Sequence, residues 1–170
     1  MNQEETKKAL EELKNYVIKQ SRSNLTRLGK NSSKKLYNSI KGEVDAYPNS
    51  IQILFTMNEY GFFQDQGVSG TNKKYKTPFS YTNKMPPPKV FDKWIMRKGI
   101  APRDKNGKFI SRKSLSFLIA RSIFKKGIKP SLFFTKPVEK AIKRMPEEIT
   151  RAYGLDASKL IDGIMKQNFK

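Results

Sequence analysis

Six acidic side chains are the residues of this sequence that could support catalysis. Two or three carboxylates that converge on Mg²⁺ can activate water to cleave a phosphodiester bond. Asp45 and Glu59 flank a predicted strand and could approach one another, but neither lies in the Pro-Asp…Glu-x-Lys arrangement that many nucleases use. We therefore interpret the six acids as solvated surface charges; they are Glu43, Asp45, Glu59, Asp65, Asp92 and Asp104.

The sequence contains neither histidine nor cysteine. Zinc sites nearly always use one of these residues, and histidine is the commonest general acid and base. Their absence excludes Ser-His-Asp triads, Cys-His pairs, HExxH helices, zinc ribbons and disulfide bonds. We predict that the protein is not an enzyme, that it has no catalytic or metal-binding residues, and that it uses no cofactor.

The segment GVSG at 67–70 is the one glycine-rich candidate for binding phosphate. A phosphate-binding loop joins a strand to a helix and ends in Gly-Lys-Ser or Gly-Lys-Thr. This segment follows a predicted helix and leads into a polar stretch, so we predict no cofactor-binding residues here.

The next segment, TNKKYKTPFSYTNK, alternates lysines with aromatic rings. Rings and lysines together can bind single-stranded nucleic acid, but no RNA-recognition, KH or helix-turn-helix signature surrounds them. A mobile loop that docks on another protein is the favoured interpretation, and contact with DNA or another polyanion is the alternative. The candidate polyanion contacts are Lys73, Lys74 and Lys76.

Two aromatic runs, YGFF and SLFF, each place two phenylalanines side by side. Adjacent residues do not share a face, so we predict that Phe63 and Phe133 are buried and that Phe62 and Phe134 face a partner. Together with the rings of the loop, these give the predicted protein interface: Tyr60, Phe62, Tyr75, Phe79, Tyr81 and Phe134.

The chain carries a net charge of +20, from 35 basic and 15 acidic residues. By segment the net charge is +4 over 1–58, +7 over 59–110 and +9 over 111–170, so it is spread along the sequence. Such a field favours polyanions. An AT-rich genome, which places lysine and asparagine freely on the surface, explains the same charge without a partner.

The hydrophobic pattern predicts an α+β fold in a single domain over 1–170. Apolar residues recur at helical spacing over 4–28, alternate in an antiparallel hairpin over 42–57, and form an extended segment near 128–134. Several further helices are predicted after Asn58, Pro86, Ser111 or Ser114, and Pro137, with a kink at Pro146. A long loop or insertion covers about 68–110, and a C-terminal helical extension capped by Asp156 covers about 156–168.

The N-terminal sequence is charged and has no apolar core of the kind a signal peptide requires. No segment reaches the ~20 apolar residues that a membrane-spanning helix needs. We expect a soluble protein with no membrane partner.

The order of these elements resembles the tail-component or tail-completion family of tailed double-stranded-DNA bacteriophages. The resemblance rests on a basic N-terminal helix, KKLYNSI before the hairpin, YGFFQDQGVSG after it, SLSFLIARSIFKKGIKPSLFF, and a KPVEKAI helix. It covers about 5–150. The chain departs from the family in the insertion at 68–110 and in the helix after Asp156.

The resemblance implies a structural virion protein of the neck, at the head–tail connector, that joins the DNA-filled head to the tail. It implies a homo-oligomeric ring of six- or twelve-fold symmetry that assembles in the host bacterial cytoplasm. Its partners would be phage portal, connector or tail proteins, near the packaged DNA. The alternative is a basic DNA-binding or DNA-processing accessory protein, which the charge alone supports.

Overall fold

A computed structural model describes residues 4–47 and 50–168. Within these residues the chain forms six helices and one two-stranded antiparallel sheet, which confirms the α+β prediction. In chain order the elements are α1 (Glu4–Arg27), α2 (Lys35–Ser39), β1 (Lys41–Tyr47), β2 (Ser50–Thr56), α3 (Tyr60–Gln66), α4 (Lys89–Arg97), α5 (Arg112–Lys126) and α6 (Thr135–Asn168).

The chain divides into two compact units, each assembled from segments that are far apart in sequence. Unit 1 comprises the described residues of Met1–Arg27, Lys35–Asn58 and Phe133–Lys170. Unit 2 comprises Leu28–Lys34 and Glu59–Leu132. The prediction of a single domain stays a prediction.

The core of unit 1 is built on α1, whose buried positions follow a helical stripe. Leu10, Leu13, Val17, Ser21 and Leu25 are all buried, with the spacing of three or four residues that places them on one face. Leu28, predicted to continue this stripe, lies after the helix and is exposed. Against this face pack α6 and the hairpin.

The hairpin confirms the predicted alternation. β1 pairs with β2 so that Val44 lies opposite Ile53 and Gly42 opposite Phe55. Ile53 and Phe55 pack against the core of unit 1, whereas Leu54 between them is exposed. The predicted turn at Pro48 and Asn49 lies outside the described residues.

The predicted extended segment near 128–134 does not add a strand to this sheet. Ile128 instead forms an isolated antiparallel bridge with Val68 in unit 2. Leu132 has a positive φ of 49°, and the chain turns there before α6 begins. Phe133 follows that turn and is fully buried in unit 1, as predicted.

The C-terminal extension is helical as predicted, but it is not a separate helix. α6 runs without interruption from Thr135 to Asn168 and contains Pro146, so the helix does not restart there; a kink at Pro146 stays a prediction. Pro146 is exposed, while Ala141 and Ala152 on either side of it are buried and hold the helix in place.

Asp156 does cap a helix, but the helix is α1. Its carboxylate accepts hydrogen bonds from the backbone N–H groups of Glu5 (3.1 Å) and Thr6 (3.0 Å) and from the Thr6 hydroxyl (2.8 Å). A helix N-terminus presents unpaired N–H groups and a partial positive charge, which a carboxylate satisfies. Two residues that are about 150 positions apart in sequence thereby close unit 1.

Several predicted helix ends of unit 2 are confirmed. The Ser111 hydroxyl accepts a hydrogen bond from the Ser114 N–H and caps α5, whereas α3 begins after Glu59 without a side-chain cap, so the predicted Asn58 cap is wrong. Gly67 and Gly127 follow α3 and α5 in the positive-φ conformation that favours glycine. The predicted turn at 104–107 forms, with the Gly107 N–H bonded to the Asp104 carbonyl at 3.1 Å.

Candidate functional site

The segment GVSG, which the sequence places at the start of a mobile polar loop, is buried in unit 2. Val68 and Ile128 exchange two backbone hydrogen bonds, at 2.9 and 2.8 Å. On its other side the segment pairs in parallel with Ser80: the Ser69 N–H donates to the Phe79 carbonyl, and the Ser69 carbonyl accepts from the Tyr81 N–H, both at 2.8 Å. This part of the predicted loop at 68–110 is therefore held in the interior of unit 2.

Glycine is required here by close backbone approach. A Cβ atom at Gly70 would lie 2.2 Å from the Lys125 carbonyl oxygen, and one at Gly127 would lie 2.1 Å from the Val68 carbonyl oxygen. Both distances are well below van der Waals contact, so a side chain at either position forces the two backbones apart. The glycines therefore serve packing, and no phosphate is needed to explain them.

Short polar side chains fasten the lysine-rich loop that follows, residues 71–78, to the buried segment; we call it the fastened loop. The buried Ser69 hydroxyl accepts from the Tyr75 N–H at 2.9 Å and donates to the Tyr75 carbonyl at 3.2 Å. The Thr77 hydroxyl donates to the Gly67 carbonyl at 3.0 Å. These bonds tie both sides of the loop to the buried segment, and the predicted mobility of the loop stays a prediction.

Beside the fastened loop lies an apolar groove of about 620 Å³, within the size range of ligand sites. The rings of Phe63 and Phe79 meet edge to face, with centroids 4.7 Å apart and planes at 75°. The residues that line this aromatic groove are Tyr60, Phe63, Gln64, Val68, Pro78, Phe79, Ser80, Tyr81 and Ile128.

The aromatic groove also holds two polar groups that burial affects. Gln64 is one of its lining residues, and its amide nitrogen is buried without a hydrogen-bond partner among residues 4–47 and 50–168. A buried donor left without an acceptor costs free energy. Burial raises the pKa of the Tyr81 hydroxyl, so this group stays protonated at neutral pH and can donate a hydrogen bond.

The structure brings together three of the six predicted interface residues. Tyr60, Phe79 and Tyr81 line the aromatic groove, and Phe62 lies on α3, where it is 49% exposed. The prediction that Phe63 is buried is wrong, since it is 42% exposed and lines the same groove. α3 has only seven residues, so both phenylalanines stay near the surface of unit 2.

The remaining two predicted interface rings do not join the groove. Phe134 was predicted to face a partner, but it is half-buried in unit 1. There it packs against the two clusters of buried side chains that form the core, and its ring meets the Phe55 ring edge-on, with centroids 5.5 Å apart. It is therefore part of the core together with its neighbour Phe133. Tyr75 is half-buried in the fastened loop, and the Lys73 ammonium lies 5.5 Å from the centre of its ring.

The predicted polyanion contacts Lys73, Lys74 and Lys76 are all exposed. They belong to unit 2, which contains 19 basic and 4 acidic residues and thus carries +15 of the net +20. The charge that is spread along the sequence therefore falls mainly on unit 2.

The acidic candidates do not form a catalytic cluster. Among the residues described, no group of three or more acidic side chains lies close enough together to bind a metal ion. Asp104 accepts backbone hydrogen bonds within its own turn, Asp92 lies 3.7 Å from Arg112, and Asp45 accepts from Gln52 at 3.4 Å. Asp65 is buried, so its interpretation as a solvated surface charge is wrong, whereas Glu43 and Glu59 are exposed.

No protein-family model, no curated protein and no solved structure matches this chain. The resemblance to phage tail-completion proteins therefore stays a prediction. Across 4–47 and 50–168, no helix is long and apolar enough to cross a membrane.

Sequence reasoning missed six of the nine residues that line the aromatic groove, namely Phe63, Gln64, Val68, Pro78, Ser80 and Ile128. From local patterns, Phe63 was assigned to the core and Ile128 to an extended segment, and Val68 was considered only as part of a glycine-rich segment. Their common surface depends on pairing between segments about 60 residues apart, which no local pattern contains. One signal was available, since Gly67, Gly70 and Gly127 mark backbone positions where a close approach is expected.

Proposed function

We propose that this protein is a structural component of a tailed-phage virion, located in the neck between the DNA-filled head and the tail. In this proposal it assembles as a six- or twelve-fold ring against portal, connector or tail proteins and has no enzymatic activity. The order of sequence motifs suggests the family, and the surface of unit 2 supports a role in protein assembly.

The observation that carries the proposal is the exposure of the aromatic residues of α3. Tyr60, Phe62 and Phe63 are 46%, 49% and 42% exposed, next to an apolar groove that two of them line. Clustered apolar surface on a soluble protein marks an interaction site, and aromatic residues are enriched at protein interfaces.

The rival function, DNA binding or processing, is favoured by the charge of unit 2. It predicts duplex binding by the isolated protein that weakens steeply with salt. The neck proposal predicts instead that the purified chain joins other virion proteins in rings.

Co-expression with the proteins encoded by neighbouring genes, followed by affinity purification and electron microscopy, tests the proposal. We expect a complex with at least one portal, connector or tail protein that contains rings of six or twelve subunits. Failure to co-purify with any of these proteins, combined with steeply salt-dependent duplex binding, would overturn it in favour of the rival.

A surface variant sharpens the test. Tyr60→Ser with Phe62→Ser removes exposed rings only, so the protein should fold normally and be lost from the complex. Tyr153→Ser in unit 1 is the matched control, since this tyrosine is 53% exposed. Equal incorporation of both variants would show that α3 is not the interface.

A further inference from the structure

The segment around Ser80 is the free edge of a small three-segment pairing in unit 2. Ile128 pairs with Val68, and Ser69 pairs in parallel with Ser80, so residues 79–82 form the outer row. Ser69 makes both of its backbone hydrogen bonds with the peptide groups that flank Ser80. The Ser69 N–H donates to the Phe79 carbonyl, and the Tyr81 N–H donates to the Ser69 carbonyl. In parallel pairing the N–H and C=O of Ser80 itself then point to the opposite side.

That opposite side is open. Ser80 and Thr82 are exposed, and the backbone N–H and C=O of Ser80 have no hydrogen-bond partner in the part of the chain that the structure describes. Ser80 also lines the aromatic groove, so an unpaired strand edge runs beside an apolar cleft. This combination is the one used in β-strand addition, where main-chain bonds hold a peptide and a pocket selects a side chain.

We propose that an extended, acidic segment of a partner protein binds this edge as an added strand and places one apolar side chain in the aromatic groove. The anchor would contact Phe63, Phe79 and Tyr81. The hydroxyl of Tyr81 would give the bound segment a polar partner beside its anchor.

Charge selects the kind of partner. Exposed lysines precede the edge in the fastened loop, at positions 73, 74 and 76, and Lys84 follows it. The unit around them carries +15, so acidic residues that flank the anchor gain favourable electrostatics. A second copy of this chain is disfavoured as the occupant of this edge, because its own net charge of +20 would meet these lysines.

The arrangement of the rings favours protein over nucleic acid. Bases stack on open, flat aromatic faces. Phe79 and Tyr81 are half-buried, Phe63 meets Phe79 edge to face, and the Tyr81 ring is tilted against Phe124 at 6.3 Å. These ring contacts favour an apolar side chain over a row of stacked bases at Phe79 and Tyr81.

This inference rests on the proposed assembly function, but it is tested on the isolated full-length protein. The probe is a bead-bound library of random synthetic peptides of about ten residues, the length of a long strand. We expect the selected peptides to contain one aromatic or branched aliphatic residue flanked by Asp or Glu, and to bind saturably in solution. Selection without acidic residues would overturn the proposal, as would competition by oligothymidylate far below the concentration at which an unselected acidic peptide competes.

The decisive variant is Ser80→Pro, with Ser80→Ala as its matched control. Proline removes the outward N–H, which has no partner among residues 4–47 and 50–168, and proline is tolerated at strand edges. We expect Ser80→Pro to lower the affinity for the selected peptides by about tenfold, which corresponds to one or two net hydrogen bonds. Ser80→Ala should leave this affinity unchanged. Equal binding by both variants would show that no strand is added.

A second measurement leaves the protein unchanged, in case Ser80→Pro lowers its thermal stability. Selected peptides methylated at alternate backbone nitrogens keep their side chains but lose the main-chain donors on one edge. One of the two methylation registers should lose about tenfold in affinity, and the other should bind like the parent peptide. If both registers bind equally well, the edge is not used.

The strand-addition site and the proposed neck function can fail independently in these experiments. Ring complexes without peptide selection would refute the strand-addition site alone. Peptide selection without any complex with portal, connector or tail proteins would leave a peptide-binding protein and refute the neck assignment.

Discussion

The two units of this protein differ in what they bury and what they leave exposed. Of the twelve apolar side chains that are buried within the described residues, nine belong to unit 1 and three, Val68, Ile95 and Ala120, to unit 2. Of the sixteen large hydrophobic residues that are exposed there, eleven belong to unit 2. Unit 1 is thus stabilised by a side-chain core, whereas unit 2 depends more on backbone hydrogen bonds and close glycine contacts.

The charge follows the same division. Unit 1 has 16 basic and 11 acidic residues, a net charge of +5, against +15 for unit 2. Part of the basic charge of unit 1 is structural: Arg22 donates to the carbonyls of Tyr37 (3.1 Å) and Ile40 (2.9 Å) at the end of α2. The difference suggests that unit 1 is the stable scaffold and that unit 2 presents the interacting surface.

The largest expected effect comes from removing the central ring of unit 1. Phe133 is fully buried beside Leu25, Leu36 and Ile40, and Phe133→Ala should lower the free energy of unfolding by about 4 kcal/mol. Urea denaturation followed by far-ultraviolet circular dichroism measures this loss. Phe62→Ala in unit 2 is the control and should change stability by less than about 0.5 kcal/mol. Equal effects would remove the contrast between the two aromatic runs.

The corresponding test of unit 2 is Gly70→Ala. A Cβ atom there meets the backbone of Lys125 and Gly127, and backbone cannot rotate away as a side chain does. We expect the free energy of unfolding to fall by about 3 kcal/mol. The fluorescence of Trp94 measures this loss during urea denaturation, because Trp94 is the single tryptophan of the chain and lies in unit 2.

The control is Gly154→Ala in α6. No atom lies within 4 Å of its added Cβ, and alanine is the better helix former, so a gain of about 0.5 to 1 kcal/mol is expected. If Gly70→Ala is tolerated as well, close glycine packing does not stabilise unit 2.

A smaller effect is expected from Asp156→Ala, which removes the cap of α1. Loss of the cap and of the Thr6 hydroxyl bond should cost about 2 kcal/mol in urea denaturation at pH 7. Glu147→Ala is the control, because Glu147 is exposed on the same helix. A loss no larger than that of the control would show that the long-range cap contributes nothing.

The same carboxylate predicts a pH dependence. Burial alone would raise the pKa of Asp156, but the hydrogen bonds from Thr6 and Glu5 and the charge of Lys159 outweigh it and lower the pKa below its ordinary value of 3.8. The unfolded chain therefore takes up this proton first as the pH falls. The contribution of Asp156 is complete above pH 3.8 and is lost as the pH falls from there through the lower folded-state pKa.

Measuring the free energy of unfolding from pH 7 downward, in the wild type and in Asp156→Ala, isolates the contribution of the Asp156 carboxylate. The difference in unfolding free energy between the two proteins should be constant above the ordinary pKa and shrink below it. A difference that stayed constant or grew as the pH fell below 3.8 would contradict the direction of the shift.

The smallest effect on stability is expected from replacing Lys73, Lys74 and Lys76 together by glutamine, because exposed side chains contribute less than about 0.5 kcal/mol. If the loop serves protein docking, the salt dependence of duplex binding should change little. If these lysines contact phosphates, the slope of log affinity against log salt should fall by about 2.7. Glutamine at Lys7, Lys8 and Lys19, exposed in unit 1, is the matched control.

Patterns within a single element were predicted well. The stripe of α1, the alternation of the hairpin, the Ser111 cap and the glycines after α3 and α5 follow from periodicity and backbone preferences over a few residues. Each of these features is set by interactions between near neighbours in sequence. Predictions failed where an apolar residue had to be assigned to a partner, as for Phe63 and Phe134, since hydrophobicity does not state which surface covers a side chain.

The sequence by itself determined that the protein has an α+β fold, a strongly basic surface, and no histidine or cysteine to support the chemistry those residues provide. Only the tertiary structure decided that Asp156 caps α1, that the basic charge concentrates in unit 2, and that Ser80 is left as a free edge beside the aromatic groove. These features join segments that are tens to about 150 residues apart. Local propensity acts over a few residues, so it has no means of selecting such pairings; packing and hydrogen bonding in the folded chain select them.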